Sequence, residues 1–203
     1  MGDAQPGPAI IIVSGHPRSG TSLVMQMLEA AGVPILCDDA RQPDDLNPNG
    51  YYELDAVKAT TRDSAWVARA PGHAVKVIHA LLRHLPRDRS YRVILLERDL
   101  REVIASQTRM LEAIAQAKVD PPHSRLAEIY AQQLDEARQL LDHEPCFEWI
   151  EVRHADLIAG DRNPIRAICR LLGLSAGDEA MSAAIDPKLY RSRAAASGPD
   201  GEA

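Results

Sequence analysis

Ala9-Ile-Ile-Ile-Val13 followed by Ser14-Gly-His-Pro-Arg-Ser-Gly-Thr-Ser22 is the most informative stretch of this chain. A β-branched run that is apolar on both faces suits a central parallel strand. The Gly-containing turn after it, Gly15–Gly20, leads into Thr21–Ala31. There Leu23, Val24, Met27, Leu28 and Ala31 fall on one helical face, and Gly32 stands as the stop. Strand, glycine turn and helix in this order form a phosphate loop. Glycine lets several backbone N–H groups point inward, and the helix N-terminus adds partial positive charge. Gly-x4-Gly-x-Ser is Walker A spacing, but Thr21 occupies the slot where a nucleoside triphosphatase places Lys. The cation is instead Arg18, inside the loop. An Arg there reaches a bridging or leaving-group oxygen of a phosphate without a metal. Gly15, His16, Pro17, Arg18, Ser19, Gly20, Thr21 and Ser22 are therefore candidate anion-binding residues. A plain glycine turn with a solvated Arg is the competing reading.

The rest of the chain repeats the alternation. Ala74–Ile78, Tyr91–Glu97 and Phe147–Val152 read as strands. Glu53–Ala68, the segment from Leu100 to Ile114, and Arg125–Leu141 read as helices. Asp99 and Glu102 have capping-box spacing. Asn163-Pro164 reads as a cap with a first-turn proline, and Gly173 as that helix's end. Cys37–Gly50 is polar and proline-rich, a loop suited to wall or cover a site. The expectation is an α/β, P-loop-type three-layer fold with a mostly parallel central sheet flanked by helices. It forms a single domain over 9–193, with flexible tails at 1–8 and 194–203.

A second anion site is legible after the third strand. Arg98 sits at the strand's carboxyl end, where open α/β sheets bind ligands. Ser106 follows about 12 Å along the next helix. Either residue alone is as well explained by solvation or tolerance. Together they make a sensible phosphate clamp.

Composition bounds the rest. The chain has 203 residues, 45% apolar and 26% charged, enough for a core of Ala, Leu, Ile and Val, since aromatics are 4%. A net charge of −6 argues against bulk binding to nucleic acid or anionic membrane. Ala9–Val13 is far short of the roughly 20 residues of a membrane span. Met1–Pro8 has no basic region of the signal-peptide kind, and Pro6 spoils a myristoylation motif. Cys37, Cys146 and Cys169 form neither a disulfide framework nor a zinc spacing and read as small buried residues. A cytoplasmic protein is expected. No His pair has metal-ligand spacing, so no metal site is expected. Trp66, Trp149 and Phe147 read as core rather than adenine stackers.

Pro17-Arg18-Ser19-Gly20-Thr21-Ser22, followed at a plausible distance by Arg98-x7-Ser106, resembles the PAPS-dependent sulfotransferases (PAPS is 3′-phosphoadenosine 5′-phosphosulfate). His84-Leu85-Pro86 is similar to family sequence, and Asn47-Pro-Asn-Gly-Tyr-Tyr-Glu53 to bacterial members. The resemblance covers roughly Ala9–Arg109, and less specifically Asp186–Arg193. Leu100 stands where the family often has Pro. The C-terminal Arg-Lys-Gly-x-x-Gly loop of many animal members is absent, and Arg191 and Arg193 are its only possible stand-ins.

The resemblance implies that the first motif binds the 5′-phosphosulfate and that Arg98 and Ser106 bind the 3′-phosphate. PAPS would be the co-substrate, with no metal required. Arg18 would neutralise charge on the leaving phosphate. The acceptor would be a small molecule or carbohydrate carrying a hydroxyl or amine, and the enzyme a monomer or homodimer. Glu53 and His79 are the candidate general bases, with His84 a weaker third. His79 falls one residue later than the family's Lys-x-His, in Lys76-Val-Ile-His79. Two other readings stay open: a nucleotide-kinase-like phosphotransferase, disfavoured by Thr21, and a non-catalytic nucleotide-binding module that keeps the fold.

Overall fold

The computed structural model describes residues 7–38, 50–115 and 125–186. Four strands, β1 (Ile10–Gly15), β2 (Ala74–Lys76), β3 (Tyr91–Glu97) and β4 (Phe147–Arg153), form one all-parallel sheet in the order β2-β1-β3-β4. The fold is α/β of the P-loop type, as the alternation implied. Side chains alternate across β1. Ile10 and Ile12 enter a core beneath α3 (Arg125–His143), with Val75, Val93, Leu134, Leu141, Trp66 and Phe147. Ile11 and Val13 enter a second core with Val24 and Leu28 of α1 (Thr21–Ala30) and Ile165 and Ile168 of α5 (Arg162–Leu172). Two cores on two sheet faces make three layers, which is why β1 is apolar throughout. The remaining helices are α2 (Leu100–Ala115), α4 (His154–Ile158) and α6 (Asp178–Ala183). No helix among the described residues is long and apolar enough to cross a membrane.

Several local expectations shift. Glu53–Ala68 is not one helix but two 3-10 segments, Asp55–Ala59 and Ala65–Arg69. The Thr60 hydroxyl donates back to the Val57 carbonyl, and the Asp63 carboxylate accepts from the Ala65 N–H, so side chains compete for the helix's own bonds. The second strand stops at Lys76, two residues early, and His79–His84 form a 3-10 segment. The cap of α5 is Asp161 rather than Asn163, its carboxylate accepting from the Asn163 N–H at 2.9 Å. Gly173 ends that helix with φ 70°, as its position implied. Trp66 and Phe147 are core. The cysteines are not buried: Cys37 is exposed, and Cys146 and Cys169 are half-buried. The tails, most of the 37–50 loop, Arg191 and Arg193 lie outside the described residues.

Candidate functional site

β1 lies between β2 and β3, so the chain leaves β1 toward one side of the sheet and later returns to the other. The carboxyl end of β1 is therefore the switch point where such sheets open a crevice. Gly15 ends β1, His79 follows β2, Arg98 follows β3 and His154 follows β4. The predicted loop, His79 and Arg98 thus gather at one edge, joined by His154, because all four strands run the same way.

The loop is tightly held. Gly15 has φ 152°, and a Cβ there would press on Ser19 Oγ and the Leu96 carbonyl. The Ser19 N–H donates to the His16 carbonyl at 3.1 Å, closing the turn. Arg18 takes φ 72°, a left-handed conformation rare outside glycine. Ser14, His16 and Ser19 are almost wholly buried, yet Ser14 Oγ, His16 Nδ1 and Ser19 Oγ have no hydrogen-bond partner among the described residues. Buried polar atoms left in that state are costly unless a ligand or water completes them. Buried hydroxyls beside a helix N-terminus fit an anion.

The two anion motifs meet. Arg18 Nε donates to Ser106 Oγ at 3.1 Å. Arg98 Nη1 donates to the Arg18 carbonyl at 3.0 Å, and Arg98 Nε donates to Glu102 at 3.0 Å. Gln107 of α2 donates to the Pro17 carbonyl, and the Tyr130 hydroxyl donates to Gln107. Glu102 was legible only as half of a capping box. Its carboxylate pairs with Arg98, with both side chains nearly buried at 8% and 10% exposed. Nothing in the sequence marked Tyr130 or Gln107, because both sit on ordinary amphipathic helices.

His16 and His79 pack ring to ring, centroids 4.2 Å apart, and His16 stacks on Tyr130. His79 Nδ1 lies 3.1 Å from the Gly15 carbonyl and Nε2 3.3 Å from Gln133 Oε1. His79 therefore braces the loop from behind. His84 is exposed at the far end of its 3-10 segment.

Burial, helped by the neighbouring His79, holds His16 down at about 4, and burial with the Arg98 charge does the same for His154. The unfolded chain binds these protons near the ordinary value, about 6.5. Below that pH the unfolded state takes up protons that the folded state refuses. The stability tied to the neutral rings is therefore complete above about pH 6.5 and is lost as pH falls toward 4. Melting temperatures at pH 7.5 and pH 5 should drop more steeply in the wild type than in His16→Gln. Equal slopes would remove His16 from this account.

On the other side of the loop, Lys76 Nζ donates to the Tyr51 carbonyl at 2.9 Å and to Ser22 Oγ at 3.4 Å, and lies 3.8 Å from Glu53 Oε1. Ser22 also donates to the Tyr51 carbonyl. β2 thus brings a second cation to the first turn of α1. A Lys at the carboxyl end of an apolar strand was the available signal. Thr21 is buried at the helix start. Among the described residues no cluster of three His, Cys, Asp or Glu is placed to hold a metal.

No family model matches the sequence, and no curated protein is similar to it. Solved structures are more informative. The sulfotransferase domain of the olefin synthase of Synechococcus PCC 7002 superposes with a TM-score of 0.53 at 19% identity, over 89% of this chain and 78% of that one. The two chains share a fold over most of their lengths. A sulfotransferase domain from the curacin biosynthetic pathway superposes at 0.51 and 17% identity, over 87% of this chain and 77% of that one. A sugar kinase from a Janibacter species reaches only 0.43 at 13% identity, too weak to speak for a shared architecture. Identities this low establish the fold and leave chemistry to the site.

Proposed function

We propose that the protein is a sulfotransferase that moves a sulfuryl group from PAPS to a hydroxyl or amine of a small-molecule or carbohydrate acceptor. One observation carries the reading: the 3.1 Å contact between Arg18 and Ser106, which joins the two anion motifs into one continuous site. When bound, PAPS supplies the sulfuryl group and leaves as the 3′,5′-bisphosphate. Arg18 and the loop N–H groups neutralise charge growing on the departing 5′-phosphate. Arg98 and Ser106 hold the 3′-phosphate, a remote contact that selects this nucleotide over ATP. The buried hydroxyls of Ser14 and Ser19 gain partners from the anion.

Glu53 is the better base. Its carboxylate is partly exposed and lies 3.8 Å from Lys76, which in turn donates to Ser22 of the loop. His79 has Nδ1 engaged with the Gly15 carbonyl of the loop and Nε2 with Gln133 of α3. Glu53→Gln should lower kcat by about a hundredfold, within the usual range for a lost general base. Its affinity for 3′-phosphoadenosine 5′-phosphate should be unchanged. An active Glu53→Gln beside an inactive, normally binding His79→Asn would reverse the assignment.

Calorimetry tests the donor. Micromolar binding of 3′-phosphoadenosine 5′-phosphate without metal, and little binding of ATP, is expected. Preference for ATP with Mg²⁺ would replace this reading with a kinase, and binding of neither would leave a non-catalytic module.

A further inference from the structure

We propose that Glu102 is a positioning residue of the phosphate loop, holding Arg98 against the carbonyl of Arg18 so that the loop's left-handed turn is set before an anion arrives. Three observations lead there. The Arg98–Glu102 pair is nearly buried, with Nε to Oε2 at 3.0 Å, so neither charge is well solvated and each helps compensate the other. The same guanidinium sends Nη1 to the carbonyl of Arg18, the one loop residue with a left-handed φ and a side chain. A peptide unit is planar, so fixing that carbonyl also fixes the Ser19 N–H on its opposite side, and this N–H closes the turn onto His16. Glu102 therefore acts at a distance, through Arg98, on the peptide plane at the centre of the loop. His154, which opens α4 just after β4, packs its ring against Gly20 of the same loop.

Simple electrostatics and positioning predict opposite signs for the loss of Glu102. A carboxylate close to an anion site repels anions. If Glu102 only neutralised Arg98, or only complemented the first turn of α2, removing it would leave anion binding unchanged or tighter. If it positions Arg98, removing it lets the guanidinium swing and the loop relax, and binding weakens although a negative charge has gone.

The identity of the nucleotide rests on the sulfotransferase reading, while the positioning role does not. Wild type, Glu102→Ala and Glu102→Gln should be titrated by calorimetry with 3′-phosphoadenosine 5′-phosphate and with ADP plus Mg²⁺, with melting temperatures recorded beside them. Glu102→Ala should bind the bisphosphate about tenfold more weakly, the scale of one lost charge-assisted hydrogen bond. Glu102→Gln, which keeps an acceptor for Arg98 Nε, should fall between the two. A purely structural role would lower the melting temperature and leave the affinity of the folded protein untouched. Affinity equal to or tighter than wild type in either variant overturns the proposal. If Glu102→Ala does not fold, Glu102→Gln alone decides by the same sign. A wild type that takes ADP with Mg²⁺ but not the bisphosphate overturns the donor assignment and leaves Glu102 to be judged on ADP. A wild type that binds neither overturns both.

Discussion

Arg18→Gly and Arg18→Ala should both cut turnover sharply, and the glycine variant should be the more stable of the two. Arg18 carries φ 72°, where a side chain costs about 1–2 kcal/mol that glycine does not. Alanine keeps that strain and loses the guanidinium, whereas glycine loses both. The contact from Nε to Ser106 disappears in each, so the pair isolates the backbone. Glycine's extra freedom in the unfolded chain offsets part of the gain, so a difference of about 0.5–1 kcal/mol in favour of glycine is the expected reading from denaturant titration. Turnover should fall about 10²–10³-fold in both, the scale of losing one pre-set donor to a developing oxyanion. Affinity for 3′-phosphoadenosine 5′-phosphate should fall at least about tenfold. A more stable, inactive glycine variant would mean that the strain is retained because the loop needs a guanidinium at that point. Either variant turning over within a few-fold of wild type would remove Arg18 from the chemistry. Arg18→Lys should lie between, since it restores charge but not the fork that reaches Ser106.

The architecture was legible because it rests on short-range signals. The apolar run of β1, the glycines of the loop and the alternation of strands with amphipathic helices each act within a few residues, and the third strand was found at its observed bounds. The same locality made Arg18, Arg98 and Ser106 visible, since each sits at a fixed offset from a strand end. The errors also have local causes. Thr60 and Asp63 divert backbone bonds and break the expected helix at Glu53–Ala68 into 3-10 pieces, an outcome that average propensity does not encode. The supporting residues were harder to see. Glu102 pairs with Arg98 at i,i+4, which the capping-box spacing obscured. Tyr130 reaches His16 across 114 residues, His154 comes to Gly20 from just after β4, and Gln133 meets the loop's brace His79, so only tertiary packing brings them there. Lys76 reaches Ser22 across 54 residues for the same reason.

Gly20→Ala should be strongly destabilising. Gly20 caps α1 with φ 102° and ψ 13°, so a side chain meets left-handed strain of about 1–2 kcal/mol. Its Cβ would also run into Cδ2 of His154, a ring only 5% exposed and set beside Arg98 and Glu102, with little room to retreat. Overpacking of this kind adds about 1–3 kcal/mol. The sum, about 2–5 kcal/mol, is a large share of a stability that is typically about 5–15 kcal/mol. At roughly 2–4 °C per kcal/mol for a chain of this size, the melting temperature should fall by about 5–15 °C. Nucleotide affinity should fall with it, because the loop can relieve the clash only by moving its own backbone. The two causes separate in a double-mutant cycle. His154→Ala alone opens a cavity and destabilises. In Gly20→Ala/His154→Ala the new methyl occupies that space, so the double variant should be more stable than the sum of the singles implies, while the share due to φ remains. Strict additivity would mean that Gly20 is required for its backbone angle alone, and that His154 does not press on the loop.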